Sequence, residues 1–123
     1  MIEQLPNFPD SVLAFVCKGY VTKADYDAVL VPAVVQALKK HATVRLYYET
    51  AADFAGMEPG AMWEDFTIGI EHRTRWERVA VVTDIDWIKQ ATRLFRFLLP
   101  GTTKSFPTSE AGEARAWLAA PIK

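Results

Sequence analysis

Acidic residues that follow apolar runs are the first in this chain whose placement suggests chemistry. Asp84-Ile85-Asp86 stands directly after the run Val79–Thr83, at what reads as the carboxyl end of a strand, where ligands gather in open α/β sheets. Two carboxylates there could hold Mg²⁺, but Asp86 also suits a helix N-cap, and the structural reading is preferred. Glu49 at the end of an earlier strand and Asp53 just beyond it give a similar, weak suggestion of acid–base work. The single cysteine, Cys17, lies inside an apolar run, where a thiol packs as a small hydrophobe. His41 and His72 each close a helical pattern, where an imidazolium gains from the helix dipole. No nucleophile elbow, phosphate loop, dinucleotide turn or zinc-protease helix is present. The reading is therefore non-enzymatic, with no catalytic residue, no metal and no cofactor.

Binding chemistry is better represented. The segment FAGMEPGAMWEDF, Phe54 to Phe66, combines Phe54, Met57, Met62, Trp63 and Phe66 with Ile70 further along, and interleaves them with Gly56, Gly60 and Gly69. Methionine adapts to irregular apolar shapes, and glycine permits unusual backbone angles. These six apolar residues are the candidate ligand contacts, and the three glycines are candidate hinges of a helix that moves as a lid. The competing reading is that the same residues form the core-facing stripe of an ordinary crossover helix. A second set is basic: His72, Arg73, Arg75 and Arg78, with Lys89, Arg93 and Arg96 spaced by four and three on one helix face. Arg73, Arg75, Lys89, Arg93 and Arg96 are the candidate contacts for a membrane surface or an anionic head group. The competing reading is a solvated stripe neutralised by Glu71, Glu77 and Asp86.

Elements that must position these groups follow from periodicity. Pro6 and Pro9 mark an extended lead-in. Val12 to Gly19 reads as a strand covered on both faces. Thr22 and Asp25 form a capping box, opening a helix to about Lys40 with a kink expected at Pro32. Thr43–Glu49 is a second strand, followed by a helix from Pro59. Trp76–Thr83 is a third strand, followed by a helix over Asp86–Leu98 closed by Pro100 and Gly101. A short fourth unit ends in a helix from about Ser109 to Ala119. Four β-then-α units in series predict an α/β fold: a mainly parallel sheet of four to five strands flanked by four helices.

The runs Gly19–Tyr26 (GYVTKADY), Met62–Phe66 (MWEDF), Arg78–Asp84 (RVAVVTD) with Trp87, and Glu113–Leu118 (EARAWL) together resemble the bacterial SpoIIAA-like family. That family belongs with STAS domains and shares a (βα) superhelical architecture with CRAL-TRIO lipid-transfer domains. The resemblance implies a (βα)₄ STAS-like fold. It also implies either protein docking or contact with nonpolar molecules. Phosphorylated members carry an Asp-Ser pair after the central strand. Here that stretch reads ETAADFAGMEPG, with Thr50 as the nearest hydroxyl and no serine, so a seryl phosphoswitch is not expected.

Bulk properties frame these readings. The 123 residues suit one domain, 1–123, and 14 Lys plus Arg against 15 Asp plus Glu provide no field for nucleic acid. With no signal-like start and no long apolar run, a cytoplasmic chain is expected, able to touch the inner membrane face peripherally. The expected partner is a nonpolar small molecule or lipid bound at the lid helix. The alternative is a STAS-like module that docks to a regulatory protein or to a second copy of itself.

Overall fold

The computed structural model describes residues 1–71, 74–98 and 101–120, and their side chains except those at 64–66, 68–70, 95 and 98. Its main sheet has the strand order β1-β2-β4-β6-β7, built from β1 (Ile2–Gln4), β2 (Val12–Cys17), β4 (Val44–Thr50), β6 (Trp76–Val82) and β7 (Thr102–Phe106). The last four run parallel, with Leu13 beside Leu46 and Leu46 beside Val79. A two-stranded parallel ribbon joins β3 (Tyr20–Val21) to β5 (Gly56–Met57). The helices are α1 (Lys23–Asp25), α2 (Val31–Lys40), α3 (Pro59–Glu71), α4 (Asp86–Leu98) and α5 (Ala111–Ala119).

Parallel strands need crossovers, and the crossovers divide the core in two. Leu13, Phe15, Tyr48 and Val79 face one side, where they pack with Tyr26, Leu30 and Val34 of the first helical segment and Ala61 of α3. Ala14, Tyr47, Ala80 and Val82 face the other, under Ala114 and Leu118 of α5. All six residues of β2 are buried, as its unbroken apolar run requires. Each large side chain placed this way contributes roughly 1.5 to 3 kcal/mol.

The extended lead-in also takes part in the sheet. Residues 2–4 pair antiparallel with β2, in register Ile2 with Cys17 and Gln4 with Phe15, and add the fifth strand. Buried Ile2 supplies the reason, since its side chain joins the core ahead of the two prolines. The first strand also stops at Cys17, short of Gly19, whose φ of 56° turns the chain into β3.

The kink expected at Pro32 is replaced by a change of register just before it. Residues Tyr26–Leu30 form a π-helical turn, with Val31 N–H bonded to Tyr26 O, so Pro32 falls in the first turn of α2, where its missing N–H costs little. Asp86 is likewise not an N-cap. Lys89 N–H donates to Ile85 O, which makes Ile85 the cap and puts Asp86 in the first turn, where its charge still favours the dipole. A 3₁₀ turn over Thr108–Glu110 takes the place expected for the start of α5.

Three arginines finish two of the helices. Arg45 Nη1 donates to Leu118 O and Ala120 O, and Arg78 Nη1 donates to Trp117 O at 2.5 Å, so both close the end of α5. Arg75 donates to Leu38 O, His41 O and Ala42 O, and closes α2. Free carbonyls at helix ends attract such donors.

The capping box is formed as expected. Thr22 Oγ1 accepts from Asp25 N–H, and Thr22 N–H donates to Asp25 Oδ2 at 2.9 Å. Thr22→Ala should therefore cost about 1 kcal/mol, read as a lower denaturation midpoint. The Thr22 amide holds the Asp25 carboxyl below its ordinary value of 3.8. Its contribution is present above that value and is lost as pH falls through the lower folded value. Acid titration below 3.8 should destabilise the wild type more steeply than Asp25→Ala.

Candidate functional site

The carboxyl ends of the parallel strands carry the ribbon, the loop from Ala51 to Ala55 and the starts of α3 and α4. Beneath them Thr50 and Thr83, both buried, share a hydroxyl–hydroxyl bond of 2.7 Å, and Thr83 Oγ1 also accepts from Ile85 N–H. Above them Phe54 packs against the core and meets Trp87 with ring centroids 6.4 Å apart. Met57 is also half-buried against the core.

Helix α3 does not present Met62 and Trp63 to the sheet, as a core-facing stripe would. It turns Ala61 inward, fully buried, and leaves Met62 45% and Trp63 71% exposed. Two consecutive residues share a helix face poorly, and the small Ala61 fits the close approach to the core. Phe66, Gly69 and Ile70 lie among the side chains outside those described, as do His72 and Arg73 entirely.

The front of α3 is anchored. Glu58 N–H donates to Val21 O, and Glu58 Oε1 accepts from Lys23 N–H. At Gly60 a Cβ would lie 3.3 Å from the Lys23 side chain, so α1 and α3 touch closely there. Gly56 has φ 137°, within the region glycine favours, and pairs with Tyr20 in the ribbon.

Helix α4 supplies apolar residues that the sequence reading passed over. Trp87 is 42%, Leu94 59% and Phe97 89% exposed. Trp87 and Leu94 are seven apart and share one flank, while Phe97 lies one turn beyond Leu94 and Arg93. The signal was available, because the spacing that aligns Lys89, Arg93 and Arg96 also aligns these. Arg93 and Arg96 are exposed, Lys89 is half-buried, and none of the three makes an ion pair among the described residues. Arg75 is placed differently, with its guanidinium turned onto the end of α2.

The acidic candidates serve local structure. Asp84 accepts from Thr108 N–H and from Thr108 Oγ1–H, bonds that hold its carboxyl below the usual range. Glu49 accepts from the Tyr47 hydroxyl at 2.5 Å, and burial with that bond pushes the phenol up. Asp53 Oδ1 accepts from Gly19 N–H at 3.4 Å. Cys17 is fully buried, and His41 caps α2. No cluster of three metal-ligating side chains occurs among the described residues, and no described helix is long and apolar enough to cross a membrane.

What this arrangement can do is receive an apolar surface. Trp63 and Met62 on α3, and Trp87, Leu94 and Phe97 on α4, stand in water at a cost that an apolar guest would relieve. Gly56→Ala tests the support beneath them. It should cost about 1 to 3 kcal/mol through backbone strain, read by chemical denaturation, while Gly112→Ala, with open space around its Cβ, should not destabilise.

Comparison with known proteins gives a family and a solved relative. A family model described as SpoIIAA-like matches residues 12–119. A crystal structure of an uncharacterized protein of the DUF3478 family with a SpoIIAA-like fold, from Shewanella loihica PV-4, superposes with a TM-score of 0.72 at 27% identity, covering 97% of this chain and 93% of that one. No curated protein matches the chain.

Proposed function

The chain belongs to the SpoIIAA-like family, and we propose that within it this chain is a non-enzymatic binding domain for a nonpolar small molecule or a membrane lipid. The observation that carries this reading is the exposure of Trp63 and Met62 at the start of α3, together with that of Trp87, Leu94 and Phe97 on α4. The exposed parts of the indole and the thioether are apolar area that a guest can cover, and burying such a pair is worth roughly 3 to 6 kcal/mol. Lys89, Arg93 and Arg96 on α4 lie along the same helix as Leu94 and Phe97, which suits a guest with an apolar body and an anionic head. Arg75 is left out of that role because its donors hold the end of α2. Movement of α3 as a lid remains part of the proposal, with Gly56, Gly60 and Gly69 as its hinges. A regulatory protein, or a second copy of the chain, seated on the same exposed residues is the alternative reading.

Native mass spectrometry after mild extraction, with flotation on neutral and anionic vesicles, tests the proposal. The wild type should carry a lipid-sized adduct or float with vesicles. Met62→Ser combined with Trp63→Ser should reduce either signal at least about tenfold, with the denaturation midpoint of the variant measured alongside to separate lost binding from lost fold. A wild type without adduct that ignores both vesicle types overturns the reading, and a stoichiometric protein partner lost in the same variant favours the alternative.

A further inference from the structure

A second surface lies away from α3 and α4, where the sheet ends at β1. Leu5 N–H donates to Ala14 O and Lys18 N–H donates to Met1 O, each at 2.8 Å. With Gln4 opposite Phe15 and Ile2 opposite Cys17, residues 1, 3 and 5 turn their peptide groups towards β2. The N–H and C=O groups of Ile2 and Gln4 therefore point outward, and among the described residues they have no backbone partner. This is an open sheet edge carrying donors and acceptors at the strand repeat.

Beside that edge runs a groove of about 470 Å³ shared by Gln4 and the helical segment from Ala28 to His41. Its apolar length is made by Leu13, Val29, Pro32 and Ala33. Most of these helix residues are small, which leaves depth for side chains from outside. Asp10, Lys40 and His41 also line it, and the His41 Nε2 is buried without a hydrogen-bond partner among the described residues. From Val29 to Lys40 the helix rises about 16 Å. Side chains on one face of a strand recur about every 7 Å, so the groove accommodates three of them.

We propose that the edge of β1 takes up an extended peptide segment of another protein as an added strand, with the groove reading its side chains. The peptide backbone pairs with Ile2 and Gln4. Two apolar side chains at alternate positions lie on Leu13, Val29 and Ala33. The third falls between Asp10, Lys40 and His41, where opposite charges and an unused ring nitrogen complement a neutral amide that both donates and accepts, as in Asn or Gln. Main-chain bonds supply affinity in this mode and the pockets supply choice.

Selection of random heptapeptides displayed on phage, followed by anisotropy with the enriched sequences, tests the proposal. Enriched peptides should alternate apolar positions and carry Asn or Gln at one end. Gln4→Pro deletes an outward N–H together with the Gln4 side chain at the groove, and should weaken binding at least about fivefold. Ala33→Arg fills the groove and should abolish binding. In the wild type, amide exchange at Ile2 and Gln4 should slow on peptide addition, a readout that does not depend on either variant. Failure to enrich any peptide, or enrichment of peptides whose binding both variants and both amides ignore, overturns the proposal. Neither result bears on the exposed apolar residues of α3 and α4.

Discussion

Four adjacent strands running the same way constrain everything else in this molecule. Each parallel step must be bridged by a crossover, and β2, β4, β6 and β7 follow one another across the sheet in chain order. Crossovers of one hand that always step in the same direction stack their helices on the same face. Hence the first helical segment and Ala61 of α3 share one core, while α5 is left to cover the other. A single nine-residue helix cannot cover a five-stranded sheet. Leu5 and Phe8 of the lead-in complete the layer, with the Phe8 ring tilted against Tyr47, centroids 5.1 Å apart, and Arg115 over its ring. The extended lead-in marked by the two prolines thus seals the thinly covered side.

Helix ends on both faces are held by guanidinium groups that leave the sheet. Arg45 and Arg78 reach the last carbonyls of α5, and Arg45 also meets Glu77 at 2.6 Å across the register shift between β4 and β6. Arg78 and Lys104 further lie over the Trp117 ring at 5.1 and 5.0 Å. Cations counted as a loose surface series in the sequence are in part the fastening of the layers. Charge pattern alone does not separate such a residue from a solvated one, because the partner carbonyl lies dozens of positions away.

Local signals in the sequence carried most of the architecture. The unbroken apolar run of β2, the Thr22–Asp25 box, Pro59 at the start of α3 and the limits of α4 all read correctly because each depends on near neighbours. What failed was non-local. Ile2 pairs with Cys17 through contacts made only once β2 exists, and the π-helical turn before Pro32 depends on packing that seats Tyr26 against Tyr48, hydroxyl to hydroxyl at 2.7 Å. The candidate site was legible in its composition and not in its orientation. Phe54, Met57, Met62 and Trp63 read as one apolar set, yet the first two are half-buried and the last two face water. Trp87, Leu94 and Phe97 were overlooked because the cations between them dominated the reading of α4.

The hydroxyl pair of Thr50 and Thr83 has a consequence for control. It sits where the central strands end, closed over by the loop that holds Phe54, and each oxygen is already engaged. A kinase would have to pry β4 from β6 before its γ-phosphate met the Thr50 oxygen, and the product dianion could not be folded back into so tight a gap. A phosphate on either of these two threonines would therefore require the ends of β4 and β6 to open locally, at the cost of their shared bond and their burial.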